Sequence, residues 1–133
     1  MSTDKEKLSI LSEMIAFAKT DQVMQDAEYN FLIGVASHLG IGKEEFDSLF
    51  EKKIEKIVLK SQADRILQFH RLVLLMNVDR IQSMAETNTL HNIGLKMGLP
   101  PSAIDQVLIV MHKYPDKIVP PRVLLDIFNA YNN

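Results

Sequence analysis

Four acidic residues recur at one spacing. Asp21 and Glu28 bracket Asp-Gln-Val-Met-Gln-Asp-Ala-Glu, and Asp79 and Glu86 bracket Asp-Arg-Ile-Gln-Ser-Met-Ala-Glu, 58 residues further along. Two kinds of chemistry suit such pairs. Four carboxylates brought together would hold a hard divalent cation through oxygen ligands. Alternatively, each Glu opens a helix. Ser83-Met-Ala-Glu86 has the S-x-x-E form of a capping box, in which serine and glutamate satisfy N–H groups reciprocally. Glu28 holds the same position, where the positive end of a helix favours a carboxylate. Asp21 and Asp79 suit turns, in which a short carboxylate bonds backbone N–H groups ahead of it. Capping is the preferred assignment; a metal site built from Asp21, Glu28, Asp79 and Glu86 is the alternative. Counting excludes an EF-hand: loop positions 3 and 12 would be Val23 and Leu32, or Ile81 and Leu90, none of which ligates calcium.

Other site chemistry is sparse. The chain has no cysteine, which removes disulfides, zinc–thiolate sites and cysteine nucleophiles. His38, His70, His91 and His112 show no i, i+4 pairing and no metalloprotease spacing. His70 lies within the most apolar stretch and is expected to be a hydrogen-bonded core or boundary residue. His91 is expected at the edge of a stripe. No glycine-rich phosphate loop, nucleophile elbow or dinucleotide fingerprint occurs, so no enzyme, catalytic residue or cofactor is expected.

The elements that must position the acidic pairs are helical. Leu8, Leu11, Ile15 and Ala18 form a first stripe, with Thr3 or Asp4 as N-cap. Phe31, Leu32, Val35 and Leu39 form a second, closed by Gly40 as a left-handed cap. Phe46, Leu49 and Phe50 mark a short third helix from Lys43, and Ile54, Ile57, Val58 and Leu59 either extend it or form a separate turn. Ile66, Phe69, Val73 and Met76 begin a second set; with Leu72, Leu74 and Leu75 this helix is apolar nearly all round and should be the most buried. Leu90, Ile93 and Met97 follow, ended by Gly98. Ile104, Val107, Leu108 and Met111 come after Pro100-Pro101, which suit a first helical turn. Pro120-Pro121 open a last helix with Val123, Leu124, Ile127, Phe128 and Tyr131 on one face, expected to lie as a lid over the bundle.

These two sets are versions of one another. Seven of thirty positions in 21–50 are identical to those in 79–108, against roughly two by chance. The apolar positions keep step as well, as in Val35/Ile93, Leu39/Met97 and Phe46/Ile104. The expected fold is all-α: a single domain over 1–133, a bundle of about seven helices built from two pseudo-symmetric three-helix repeats. Repeat 1 covers about 8–50, repeat 2 about 66–112, and a C-terminal helix about 120–131.

Size and charge narrow the partners. A chain of 133 residues, 47% hydrophobic and 24% charged, suits one soluble domain with a sizeable core. The longest apolar runs, Leu72–Met76 and Val107–Met111, are far too short to span a bilayer. The N-terminus lacks the plan of a signal peptide. A cytoplasmic location is therefore expected. Net charge is −2, which gives no reason to expect nucleic acid. Lys52, Lys53, Lys56, Lys60, Arg65 and Arg71 are interleaved with Glu51, Glu55 and Asp64, as on a solvated helical face. Most of the seven methionines fall on apolar stripes, where they fill a core.

The duplicated segment resembles the TerB-like family associated with tellurite resistance, whose signature is Asp-Gly-x-Val/Ile-x-x-x-Glu at a helix–helix turn. Asp21, the apolar Met24 and Glu28 match it, as do Asp79 and Glu86; Gln22 and Arg80 stand where the signature has glycine, and Gln82 at its apolar position. The similarity covers most of 8–112. It implies an all-helical, internally pseudo-symmetric domain with a bacterial stress-related or membrane-adjacent role, and no reaction. The expected function is that of a non-catalytic binding or interaction module with a protein partner, no nucleic acid and no integral membrane segment, peripheral membrane association remaining open. The alternative is a divalent-metal-binding stress protein using the paired Asp and Glu.

Overall fold

Apolar residues three and four apart give each helix one face to bury, and the chain folds accordingly. The computed structural model describes residues 4–20, 24–52, 54, 56–78 and 84–131. Its α-helices are α1 (Asp4–Ala18), α2 (Asp26–His38), α3 (Lys43–Ser48), α4 (Gln62–Asn77), α5 (Met84–Lys96), α6 (Pro101–Val110) and α7 (Pro121–Tyr131). Two 3-10 turns, Met111–Lys113 and Pro115–Lys117, lead from α6 towards α7. No strand occurs among the described residues. No helix there is long and apolar enough to cross a membrane.

Local chemistry sets the helix ends. The Ser61 hydroxyl accepts the backbone N–H of Asp64 at 3.0 Å and so caps α4. Pro101 and Pro121 occupy first helical positions, where a missing N–H costs nothing. Gly40 and Gly98 end α2 and α5 at φ 80° and 82°. At each, the glycine N–H and the next N–H turn back to the last turn: Gly40 to Ser37 and Ile41 to Ala36, Gly98 to Leu95 and Leu99 to Gly94. That is the Schellman arrangement, and its characteristic apolar residue, Ile41 or Leu99, is buried in both cases. Both glycine stops expected from the sequence are thus present.

The helices pack around a central α1–α4 pair. α1 also contacts α2 and α5, and α4 also contacts α2, α5, α7 and the second 3-10 turn. α3 packs on α2, and α6 on α5 and α7. As the sequence implied, α4 buries more residues than any other helix, among them Phe69, Leu72, Val73, Leu75 and Met76. Each such large apolar side chain contributes about 1.5–3 kcal/mol before conformational entropy is charged. Helix starts at Asp4, Asp26 and Lys43 are matched 58 residues later by Gln62, Met84 and Pro101. The burial pattern carries the same offset: Ile10, Leu11, Met14, Ile15, Phe17 and Ala18 in α1, then Gln68, Phe69, Leu72, Val73, Leu75 and Met76 in α4.

Residues 56–60 behave otherwise than expected. They neither extend α3 nor form a helical turn, but run as a non-helical strap to α4. The Ile57 N–H donates to Ser9 Oγ at 2.9 Å, and Arg65 donates to the carbonyls of Leu59 and Lys60 at 2.9 and 2.7 Å. Leu59 is buried while Val58 is 78% exposed. Held by tertiary hydrogen bonds, the strap has no need of helical ones.

Candidate functional site

The two recurrent glutamates occupy equivalent positions. Glu28 is the third residue of α2, Glu86 the third of α5, and both are 2% exposed. The backbone N–H of Gln25 donates to Glu28 Oε1 at 2.9 Å, which makes Glu28 the glutamate half of a capping box. Neither carboxylate is without a partner. Asp21, Asp79 and Ser83 lie outside the described residues. Among those described, no group of three or more His, Asp or Glu side chains assembles to hold a metal ion.

The histidines divide as their surroundings dictate. His70 is buried on α4 with Nε2 2.8 Å from the Val119 carbonyl oxygen, so that nitrogen carries the proton and donates. The expectation of a hydrogen-bonded core residue is met. His91 sits at the rim of α5, its Nε2 3.0 Å from Asp105 Oδ1. His38 and His112 are exposed.

Two grooves flank the central helix pair, and they differ in chemistry. The first lies between α1 and α5, and the strap forms one of its walls, with about 220 Å³ of space beneath the strap and about 310 Å³ beside it. Ser9, Ser12, Glu13 and Ala16 line it from α1, and Thr89, Ile93, Lys96 and Met97 from the other side. Lys56 Nζ of the strap lies 3.5 Å from Glu13 Oε2, and Glu13 Oε1 accepts from Gln68 at 3.0 Å. The Ser12 hydroxyl is buried there without a hydrogen-bond partner.

The second groove, about 390 Å³, lies between α2 and α4. Leu67, His70, Arg71 and Leu74 line it from α4, and Phe31, Val35, His38 and Leu39 from the other wall. Each stands 58 positions from a residue lining the first groove, yet the chemistry is exchanged. Leu67 replaces Ser9, Leu74 replaces Ala16, Phe31 replaces Thr89, and Arg71 takes the place of Glu13. Leu67 is 45% exposed. Gly34, on the α2 wall, has nothing within 4 Å of where a Cβ would stand.

Arg71 is the unusual member. Its guanidinium is half-buried, and this burial pushes its pKa down, with the Asp64 carboxylate acting in the opposite sense. Nη1 donates to the neutral Gln68 Oε1 at 3.2 Å, the one hydrogen bond Arg71 makes among the described residues. A guanidinium carries five N–H donors, and a half-buried cation gains most from a carboxylate that accepts two of them.

No family model, no characterised protein and no solved structure matches this chain. The geometry must carry the assignment alone. Here the sequence pattern misled in one respect. Arg65 and Arg71 fell in a stretch of mixed charge that reads as a solvated face, but Arg65 is consumed by backbone carbonyls and Arg71 turns into the groove. The signal that marks Arg71 is its offset partner: 58 residues earlier stands Glu13, an opposite charge beside the matching apolar pairs Met14/Leu72 and Ile15/Val73.

Proposed function

We propose that this chain is a non-catalytic binding module of TerB-like type, made of two pseudo-symmetric three-helix repeats, that takes a protein partner in the α2/α4 groove. One observation carries the binding assignment: a half-buried guanidinium with a single neutral partner, set between Phe31, Leu67 and Leu74 on a surface that contains no competing carboxylate among its lining residues. Desolvating a cation whose neighbouring carboxylate, Asp64, makes no hydrogen bond to it is costly, and sites that do so are disproportionately binding sites. The repeated architecture is supported by the common offset of helix starts, of buried positions and of the two glycine caps. The capping contact of Glu28 supports a structural role for the acidic pairs.

Selection of binders from a random peptide library tests the assignment, using Leu67→Glu as the groove-blocked control. Leu67 is 45% exposed, so the variant should melt with the wild-type chain. Peptides that bind the wild-type chain and are lost on Leu67→Glu are expected. Recovery of none, or of binders indifferent to that change, refutes the groove. Metal binding by the acidic residues is the second reading, favoured by the burial of both Glu28 and Glu86 at matching helix positions. Calorimetric titration with calcium, magnesium, manganese and zinc decides it: heat that vanishes in Glu28→Gln and Glu86→Gln would establish a metal site.

A further inference from the structure

The first groove shows how such a surface takes a peptide, because the chain supplies one itself. Lys56 and Ile57 of the strap lie against α1 with a cation on Glu13 and a backbone N–H on Ser9, and Leu59 two residues on is buried. The counterpart stretch 58 residues later, around 114–117, does not repeat this. It forms the second 3-10 turn, with Asp116 and Lys117 at φ 55° and 58°, and contributes no residue to the α2/α4 groove. The α2/α4 groove thus lacks the strap that walls the first one.

We infer that the α2/α4 groove binds a non-helical peptide segment carrying a carboxylate two or three residues from apolar side chains, the carboxylate pairing with Arg71. The inference rests on the groove being the binding surface and adds the chemistry of its ligand. Charge decides the sign. Where the first groove presents Glu13 to Lys56, the α2/α4 groove presents Arg71, so the incoming residue at that place must be acidic. Shape decides the remainder. Leu67, Leu74 and Phe31 replace smaller side chains of the first groove, which widens the apolar surface offered to the flanking residues. One guanidinium between apolar walls suits a single carboxylate; a nucleic-acid backbone would call for several cations in register. His38, exposed at the end of α2, stands on the opposite wall of the same groove.

The strap itself supplies the probe. A labelled peptide of residues 54–60 carrying Lys56→Glu, and the same peptide with its native lysine, are titrated by fluorescence anisotropy against the full chain. The Glu peptide should bind about tenfold more tightly, the scale of one charge-assisted hydrogen-bonded pair at a partly exposed site. Arg71→Glu should invert that preference, with its melting curve as the folding control. Should Arg71→Glu not fold, Arg71→Gln should abolish the preference. Equal binding of both peptides, lost in Leu67→Glu, overturns the carboxylate assignment and leaves the groove standing. Absence of binding by either peptide overturns the ligand assignment, the library selection then judging the groove separately. A Glu preference that survives Arg71→Glu likewise overturns it.

Discussion

The backbone N–H of Gln25 donates to Oε1 of Glu28 across 2.9 Å, and the carboxylate that accepts it is 2% exposed. An acidic side chain buried so fully must be satisfied from within the protein, and the start of α2 supplies both the N–H and the positive end of the helix.

Glu28→Ala is therefore expected to cost about 1–2 kcal/mol, the usual penalty for losing a helix cap. Urea denaturation with and without added divalent cation measures it. The loss should be the same in both buffers; a loss seen only when cation is present would assign Glu28 to a metal instead.

The helices and their glycine stops were legible because their causes are local. Apolar residues at helical spacing define α1, α2, α4, α5 and α7, and a residue at φ near 80° demands the glycine found at 40 and 98. Residues 56–60 were not legible: Ile57, Val58 and Leu59 look like one apolar run, yet Val58 is exposed and the next residue, Leu59, buried. Their arrangement depends on Ser9 and Arg65, one on a different helix and 48 residues distant in the case of Ser9 and Ile57. The groove was invisible for the same reason. Arg71 is an ordinary helix residue until α2 is placed beside it.

The helical glycines Gly34 and Gly94 should respond oppositely to alanine. A Cβ at Gly34 meets nothing within 4 Å, whereas one at Gly94 stands 2.7 Å from Ile104 Cδ1 and 3.1 Å from Phe69 Cε1. Gly34→Ala removes backbone freedom from the unfolded chain without strain and should stabilise by about 0.5–1 kcal/mol. Gly94→Ala forces buried Ile104 and Phe69 apart and should destabilise by about 1–3 kcal/mol. Thermal melts compare them directly, and equal shifts would contradict the packing of α5 on α4 and α6.

A surface network should impose a pH dependence with two limits. The Tyr29 hydroxyl donates to Asp47 Oδ1 at 2.5 Å, and Lys43 Nζ lies 3.1 Å from Oδ2. The hydrogen bond from Tyr29, then that from Lys43, holds the Asp47 carboxyl below its ordinary value. Hydrogen bonding to Asp47 raises Tyr29 and Lys43. For the depressed carboxyl, the contribution to stability is present above its ordinary value near 4 and is lost as pH falls through the lower folded value. For the two raised groups it is complete below about 10 and is lost as pH rises through their folded values. Carbon-13 NMR titration of Asp47 should show its midpoint rising towards the ordinary carboxylate value in Tyr29→Phe. An unmoved midpoint would show that the phenol does not hold Asp47 in solution.

The contact between Phe69 and Phe128 sets how firmly α7 closes the bundle. The two rings meet edge to face, 5.8 Å between centroids and 82° between planes, and both are fully buried. Leu124 is buried one turn earlier, and just before α7 the Val119 carbonyl accepts from His70. Phe128→Ala removes the ring and leaves a cavity against α4, at a cost of about 3–5 kcal/mol. That is a large share of the 5–15 kcal/mol that typically stabilises a domain. Leu125, 43% exposed on the same helix, should tolerate alanine within about 0.5 kcal/mol. Urea midpoints separate the two substitutions, and hydrogen exchange locates the damage. In Phe128→Ala, amides of α7 should exchange ahead of those in α1 and α4, since α7 packs on α4 and α6 while α1 and α4 hold the centre. Uniform acceleration in all three helices would instead make α7 part of the cooperative core, and its description as a lid would have to be given up.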